Sequence, residues 1–326
     1  MEKPDLPANK SQAVTVALLA AVLAFRTTPA AAGVQPTAVA LKIVETFHAR
    51  GMGVDRAGNL WAWEPRLETV TFVTPSGSKL SSFRIPGARA VDADSEWGVL
   101  ALLGEGRELR WFRGRRAEDD IALRLDTVAS EICWAGDATA AVAPQAAAYR
   151  VAIWNLKDKV RVATFGQETP LHPVIGATRL RAVAMRYDFR RDLLYTLDTF
   201  LGDLQVFAMD GKPAWHAAIE HPLRGEDEKW LLDLDRQARQ RRDVQTPVLR
   251  WFYLALDDRG DAWVVRNLDA PRQTVSLFKL SPGGNTEKPL AGMACASRTF
   301  TLWGDWIISF TDPASPRVCC QARRLS

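Results

Sequence analysis

Four cysteines, Cys133, Cys295, Cys319 and Cys320, have the widest chemical choice in this chain, since a thiol can attack, hold a metal or close a disulfide. Cys319 and Cys320 are adjacent, and antiparallel pairing could bring Cys295 within bridging range of one of them. Three outcomes follow for them: a bridge from Cys295, a vicinal disulfide between Cys319 and Cys320, or free thiols. Cys133 beside Trp134 reads as a small buried apolar residue. The four histidines, His48, His172, His216 and His221, show no zinc-ligand spacing. His172, between Leu171 and Pro173, is the one placed in a loop that could face a central opening. Asp55, Asp188 and Asp257 each stand beside a tight turn, where a carboxylate bonds its own backbone more readily than a metal. No calcium loop, nucleophile elbow, Walker loop or dinucleotide fingerprint is present. No cofactor is therefore expected. Any catalytic residues would have to be gathered from distant parts of the chain.

The elements that could gather them come from an internal repeat. Val54-Asp55-Arg56-Ala57-Gly58-Asn59-Leu60-Trp61 and Leu256-Asp257-Asp258-Arg259-Gly260-Asp261-Ala262-Trp263 match position by position. Each reads as an apolar strand, a turn tolerant of positive φ, and a second strand opening on an aromatic. Weaker copies give equivalent turn positions at 58, 97, 136, 191, 260 and 304, separated by 39, 39, 55, 69 and 44 residues. The 55-residue gap holds a loop from Gly166 to Gly176, and the 69-residue gap holds a helical insertion over 223–247. An aromatic follows each anchor inside an apolar strand (Phe72, Phe112, Trp154, Phe207, Phe278), with Cys319 and Cys320 in that place in the last unit. Trp61, Trp111, Trp154 and Trp263 are expected to fill the space between neighbouring blades.

Units of 40 to 45 residues with about four antiparallel strands each have the propeller period. The expectation is an all-β, six-bladed β-propeller over residues 33–326, with one helical insertion between blades four and five. The sixth unit ends after its third strand, and Val39 to Val44 alternate as a spare strand at the other end. Pairing the two would close the ring and leave no open seam.

This arrangement resembles the six-bladed propellers of the NHL-repeat type, in which a turn like Val54 to Trp61 recurs once per blade. The likeness spans residues 35 to 326 and implies an interaction platform, though fold alone does not set function. Related lactonase-like propellers hold a divalent cation such as calcium with carboxylate and amide groups. Glu45, Asn155, Asn267 and Asp198 are residues of those types here. Two functional readings follow: a non-catalytic binding scaffold for a protein or small ligand at a propeller face, or a metal-dependent hydrolase with its site at the axis.

The insertion is the most individual feature. Glu226, Asp227 and Glu228 begin it and Arg236, Arg239, Arg241 and Arg242 end it, an order that suits the helix dipole. Trp230, Leu231, Leu234 and Ala238 share one face. Trp230 and the four arginines form a candidate partner surface.

Residues 1–32 read as a cleaved export signal: Lys3 and Lys10, an apolar run from Ala13 to Phe25, then Ala30, Ala31 and Ala32. The run is too short for a stable membrane span. The expected address is the periplasm or the exterior, where disulfides are permitted. Removing the signal takes three cations and two anions, so the formal net charge falls from +4 to +3, too weak for a nucleic-acid partner.

Overall fold

The computed structural model describes residues 39–42, 51–74, 79–114, 120–144, 149–167, 183–199, 201–219, 224–240, 252–257, 260–269, 274–280, 290–294, 300–303, 306–310 and 319–324. The two clear turn motifs fold as their residue types dictate. The Asp55 carboxylate accepts the Asn59 backbone N–H at 2.7 Å and the Asn59 amide at 3.1 Å, while Gly58 takes a φ of 80°. In the matching turn Asp257 accepts the backbone N–H of Asp261 and the Nε1–H of Trp263, both at 2.9 Å, and Gly260 takes a φ of 76°. Asp188 likewise accepts the backbone N–H of Arg190 at 2.9 Å. These carboxylates hold hairpins.

After β1 (Val39–Lys42), the strands form four-stranded antiparallel sheets in chain order. The first holds β2 (Gly51–Val54), β3 (Leu60–Glu64), β4 (Thr69–Val73) and β5 (Lys79–Arg84). The second holds β6 (Ala90–Asp94), β7 (Gly98–Leu103), β8 (Glu108–Phe112) and β9 (Ile121–Arg124). The third holds β10 (Ala129–Trp134), β11 (Thr139–Pro144), β12 (Tyr149–Asn155) and β13 (Val160–Gln167). The fourth holds β14 (Val183–Asp188), β15 (Leu193–Asp198), β16 (Asp203–Ala208) and β17 (Pro213–Ala218). The fifth holds β18 (Phe252–Leu256), β19 (Ala262–Asp269), β20 (Thr274–Leu280) and β21 (Leu290–Ala294). The sixth holds β22 (Phe300–Trp303), β23 (Trp306–Phe310) and β24 (Cys319–Arg324), and β1 completes it.

The opening strands β2, β6, β10, β14, β18 and β22 neighbour one another in that order, and β22 returns to β2. Sheets that meet along their first strands stand radially around an axis, which defines a β-propeller with four-stranded blades. β1 pairs with β24, Leu41 opposite Cys320 and Lys42 opposite Cys319, so strands from the two ends of the chain share one sheet. Apolar clusters fill the spaces between neighbours. Trp61, Phe72, Val99 and Phe112 lie between the first two sheets, and Leu100, Trp111, Trp134 and Val142 between the second and third. The repeated aromatics Phe72, Phe112, Trp154, Phe207 and Phe278 all sit on third strands and are buried, as are Trp61, Trp111 and Trp263.

The helix α1 (Arg224–Arg239) occupies the connection from the fourth sheet to the fifth. Arg224 fastens its first turn to the propeller, donating to Asp203 at 2.8 Å and to the Leu201 carbonyl at 3.2 Å. Among the described residues no helix is long and apolar enough to cross a membrane. One expectation needs correction: Gly166 and Gln167 belong to β13 rather than to a loop, because Tyr149 pairs with Gln167 at the end of that strand. Residues 1–32, His172, Cys295, Arg241 and Arg242 lie outside the described residues.

Candidate functional site at the propeller axis

All six opening strands contribute to one cavity of about 410 Å³ at the axis, on the side where the hairpin turns lie. Gly53, Asp92, Trp134, Arg186, Ala255 and Thr301 are its contributions from the successive sheets. The strand registers explain what fills the axis. Gly53, Asp92, Cys133, Arg186 and Ala255 stand opposite Trp61, Leu100, Ala141, Tyr195 and Trp263 on the second strands. Trp61, Leu100, Ala141 and Tyr195 belong to the clusters shared with the next sheet, so their partners occupy one level of the ring. At that level the first and fifth sheets place a glycine and an alanine at the cavity and the second and fourth place a carboxylate and a guanidinium, while Cys133 of the third is packed into the apolar cluster shared with the fourth. Space therefore lies on one side of the axis and charge on the other. Gly53 is required for a second reason: a Cβ there would come within 2.7 Å of the Trp61 indole nitrogen.

Asp92 is held from two directions, accepting the backbone N–H of Trp134 at 2.8 Å and that of Ala93 at 2.9 Å. Burial raises its pKa, Arg186 pulls it down, and the net direction is up. Glu131, two residues before Cys133 on β10, is pushed up to about 7, chiefly by burial, with the Asp92 charge adding and Arg186 opposing. Burial also pushes the Cys133 thiol well up, so this fully buried side chain is a poor nucleophile. Arg186 donates from Nη1 to the carbonyl of Met185 at 2.7 Å. Among the described residues no carboxylate lies within the 4.0 Å of an ion pair with it. Asp92 and Arg186 are opposite charges on the same side of the axis, near enough for Arg186 to act on Asp92 yet without an ion pair between them.

The rim carries further charge, but it is committed. Arg56 donates to Asp94 at 3.0 Å and to Glu96 at 3.0 Å and lies 3.5 Å above the Trp97 ring. Burial alone would raise Asp94, yet Arg56 and the backbone N–H groups of Trp97 and Glu96 together hold it below the ordinary value. Arg191 pairs with Asp188 at 2.9 Å. Phe189, on the turn of the fourth sheet, is an exposed aromatic at the mouth.

Other candidates fall elsewhere. Asn155, at the end of β12, bonds Asp158 in both directions, at 2.7 and 3.0 Å. Asp198, at the end of β15, accepts the backbone N–H of Leu201 at 2.9 Å. Neither is on an axial strand, so these two members of the lactonase-like set do not reach the axis; the backbone of Asn267 lies on β19, and Glu45 lies outside the described residues. Among the described residues no group of three His, Cys, Asp or Glu side chains could hold a metal ion. In α1, Trp230 is half-buried and Arg236 and Arg239 are exposed, with Arg236 paired to Asp233 at 3.0 Å. The backbones of Cys319 and Cys320 lie on β24 between β1 and β23, while Cys295 lies outside the described residues. The sequence reading did not find Asp92, Glu131 and Arg186, although Asp92 and Arg186 each precede a turn aspartate, Asp94 or Asp188, by two residues.

No family model matches this chain, and no curated protein matches it. Solved structures share its fold. A member of the duf4221 family from Bacteroides vulgatus superposes with a TM-score of 0.59 at 8% identity, covering 89% of this chain and 96% of that one. A virginiamycin B lyase from Staphylococcus aureus gives 0.51 at 9%, covering 84% and 80%. A chain of a mitotic checkpoint complex gives 0.53 at 11%, covering 99% and 100%. Identities this low establish the β-propeller fold, which an enzyme and a member of a protein assembly both use.

Proposed function

We propose that the protein is an exported, non-catalytic binding scaffold, a six-bladed propeller of NHL-like repeats that takes a small ligand at the axial mouth. One observation carries this reading. A single level of the ring leaves a cavity of about 410 Å³ beside Gly53 and Ala255 and faces it with Asp92 and Arg186, which are not paired with each other. Ligand sites are concave, largely apolar and furnished with a few convergent polar groups, and this volume lies in their usual range. The helix α1, tied down by Arg224, adds a separate surface around Trp230, Arg236 and Arg239 for a protein partner. The N-terminal segment over 1–32 is proposed to direct export and to be removed. A bridge within Cys295, Cys319 and Cys320 is proposed to pin the closing sheet in an oxidising compartment.

The test is a thermal-shift screen of small polar metabolites on the purified protein and on Ala255→Trp, which fills the cavity. Compounds that raise the melting temperature of the native protein and leave the variant unmoved support the reading. A screen in which every stabilising compound acts equally on both proteins overturns it.

A further inference from the structure

We infer that the axial cavity takes a dipeptide-sized zwitterion, its carboxylate on Arg186 and its ammonium on Asp92; this deepens the binding reading above and rests on it. The argument begins with two opposite charges that share a cavity and do not meet. Arg186 uses one N–H on the carbonyl of its own neighbour Met185, and the rest of its planar fork has no carboxylate within 4.0 Å among the described residues. Such a fork is shaped for two parallel hydrogen bonds to a carboxylate. Asp92 spends one lone pair on each of two backbone N–H groups and retains acceptor capacity toward the cavity it lines. A ligand bearing only an anion would satisfy Arg186 while crowding Asp92, and one bearing only a cation would do the reverse. A ligand with both charges satisfies both.

The separation bounds the length from below. In an α-amino acid the two charges are attached to one carbon, whereas an extended dipeptide places its ends about 7 Å apart, at roughly 3.3–3.6 Å per residue. The gap between Asp92 and Arg186 exceeds ion-pair distance yet is small enough for each to act on the other's field. The cavity volume of about 410 Å³ also has room for two residues rather than one. Its remaining wall mixes apolar surface with Asp55, Arg56, Asp188 and Asp257, whose charges serve the turns. The Trp61 indole lies across Gly53, and Ala255 recedes beside it, which gives an aromatic side chain a flat surface opposite the charges.

Isothermal titration of the full chain with three probes tests this: alanylphenylalanine, its N-acetyl form and its C-terminal amide. The free dipeptide is expected to bind, with each blocked form weakened tenfold or more. Arg186→Gln is expected to remove the preference for a free carboxylate and Asp92→Asn the preference for a free ammonium, each measured on protein shown by circular dichroism to be folded. Equal binding of all three probes, or dipeptide binding unchanged in both variants, overturns the proposal. Should either variant fail to fold, Ala255→Trp serves instead, and dipeptide binding that survives it is equally fatal. If the dipeptide is inert while another compound stabilises the native protein and not Ala255→Trp, the ligand class is wrong and the axial site stands. If no compound distinguishes those two proteins, the site itself is wrong.

Discussion

Asp92 of the second sheet accepts the backbone N–H of Trp134, the last residue of the third sheet's axial strand, at 2.8 Å. Neighbouring sheets in a propeller are joined mainly by side-chain packing, so a charged acceptor on a main-chain donor of the next sheet is a directional latch. Removing it leaves a buried N–H without a partner. Asp92→Ala is therefore expected to cost about 2–3 kcal/mol in urea unfolding. Asp92→Asn keeps an acceptor of the same shape and is expected to lose about 1 kcal/mol. Equal losses in the two variants would show that the latch does not act through the hydrogen bond.

Gly98 tests the geometry of the same turn from the backbone side. Its φ is 98°, and an added Cβ would lie 2.2 Å from the Phe112 carbonyl oxygen, which belongs to the paired strand and cannot step aside. Gly98→Ala is expected to destabilise by about 3 kcal/mol, from strain and displaced pairing together. Gly58 also has a positive φ, of 80°, but nothing stands within 4 Å of a Cβ there. Gly58→Ala should consequently cost only about 1 kcal/mol. Thermal melts of the two variants side by side separate strain from collision.

How far the sequence reveals this molecule follows from what repeats. Turn chemistry is local, so Asp55 with Gly58 and Asp257 with Gly260 mark their hairpins in the sequence, and the aromatic of each third strand follows at a steady distance. The axial residues are legible in part, because Gly53, Asp92, Arg186 and Ala255 each stand two residues before a turn aspartate. The third sheet breaks the rule. It has no aspartate there: Ala135 takes the place of Asp55, its N–H bonding Thr139 as that of Asp55 bonds Asn59. Counting back from Gly136 by the five residues that separate Trp97 from Asp92 reaches Glu131, whereas strand register puts Cys133 at the ring level. That two-residue change of phase is invisible without pairing. The convergence of Asp92 and Arg186 is invisible for a plainer reason, since they lie on different sheets and meet only through the curvature of the ring.

The thiol of Cys133 offers an independent reading of how tightly the axis is closed. It is fully buried among Ala141, Val183 and Met185, and its pKa is raised by burial first and by the charge of Asp92 second. Iodoacetamide at pH 8 is expected to leave Cys133 unmodified in the native protein and to label it completely in denaturant, as read by peptide mass mapping. Rapid labelling under native conditions would mean that the third and fourth sheets separate there on the timescale of the reaction.

The pH dependence of stability follows from Glu131. Its pKa is about 7 in the folded protein against an ordinary 4.5, so between those values the folded state holds a proton that the unfolded state has released. A state that holds more protons is favoured by acid, and this group's contribution is therefore greatest below about pH 4.5 and is lost as pH rises through 7. The groups that act on it are Asp92 from β6, which raises the value, and Arg186 from β14, which lowers it. Because other carboxylates titrate as well, the comparison is with Glu131→Gln, which is neutral throughout. The variant is expected to match the native protein at about pH 4 and to be the more stable near pH 8, by up to about 3 kcal/mol from a shift of about 2.5 units. Urea unfolding at half-unit pH intervals measures the difference directly. Curves that run parallel from pH 5 to 8 would mean that Glu131 is ionised throughout, and that water entering the axis, not the protein's own enclosure, sets the charge there.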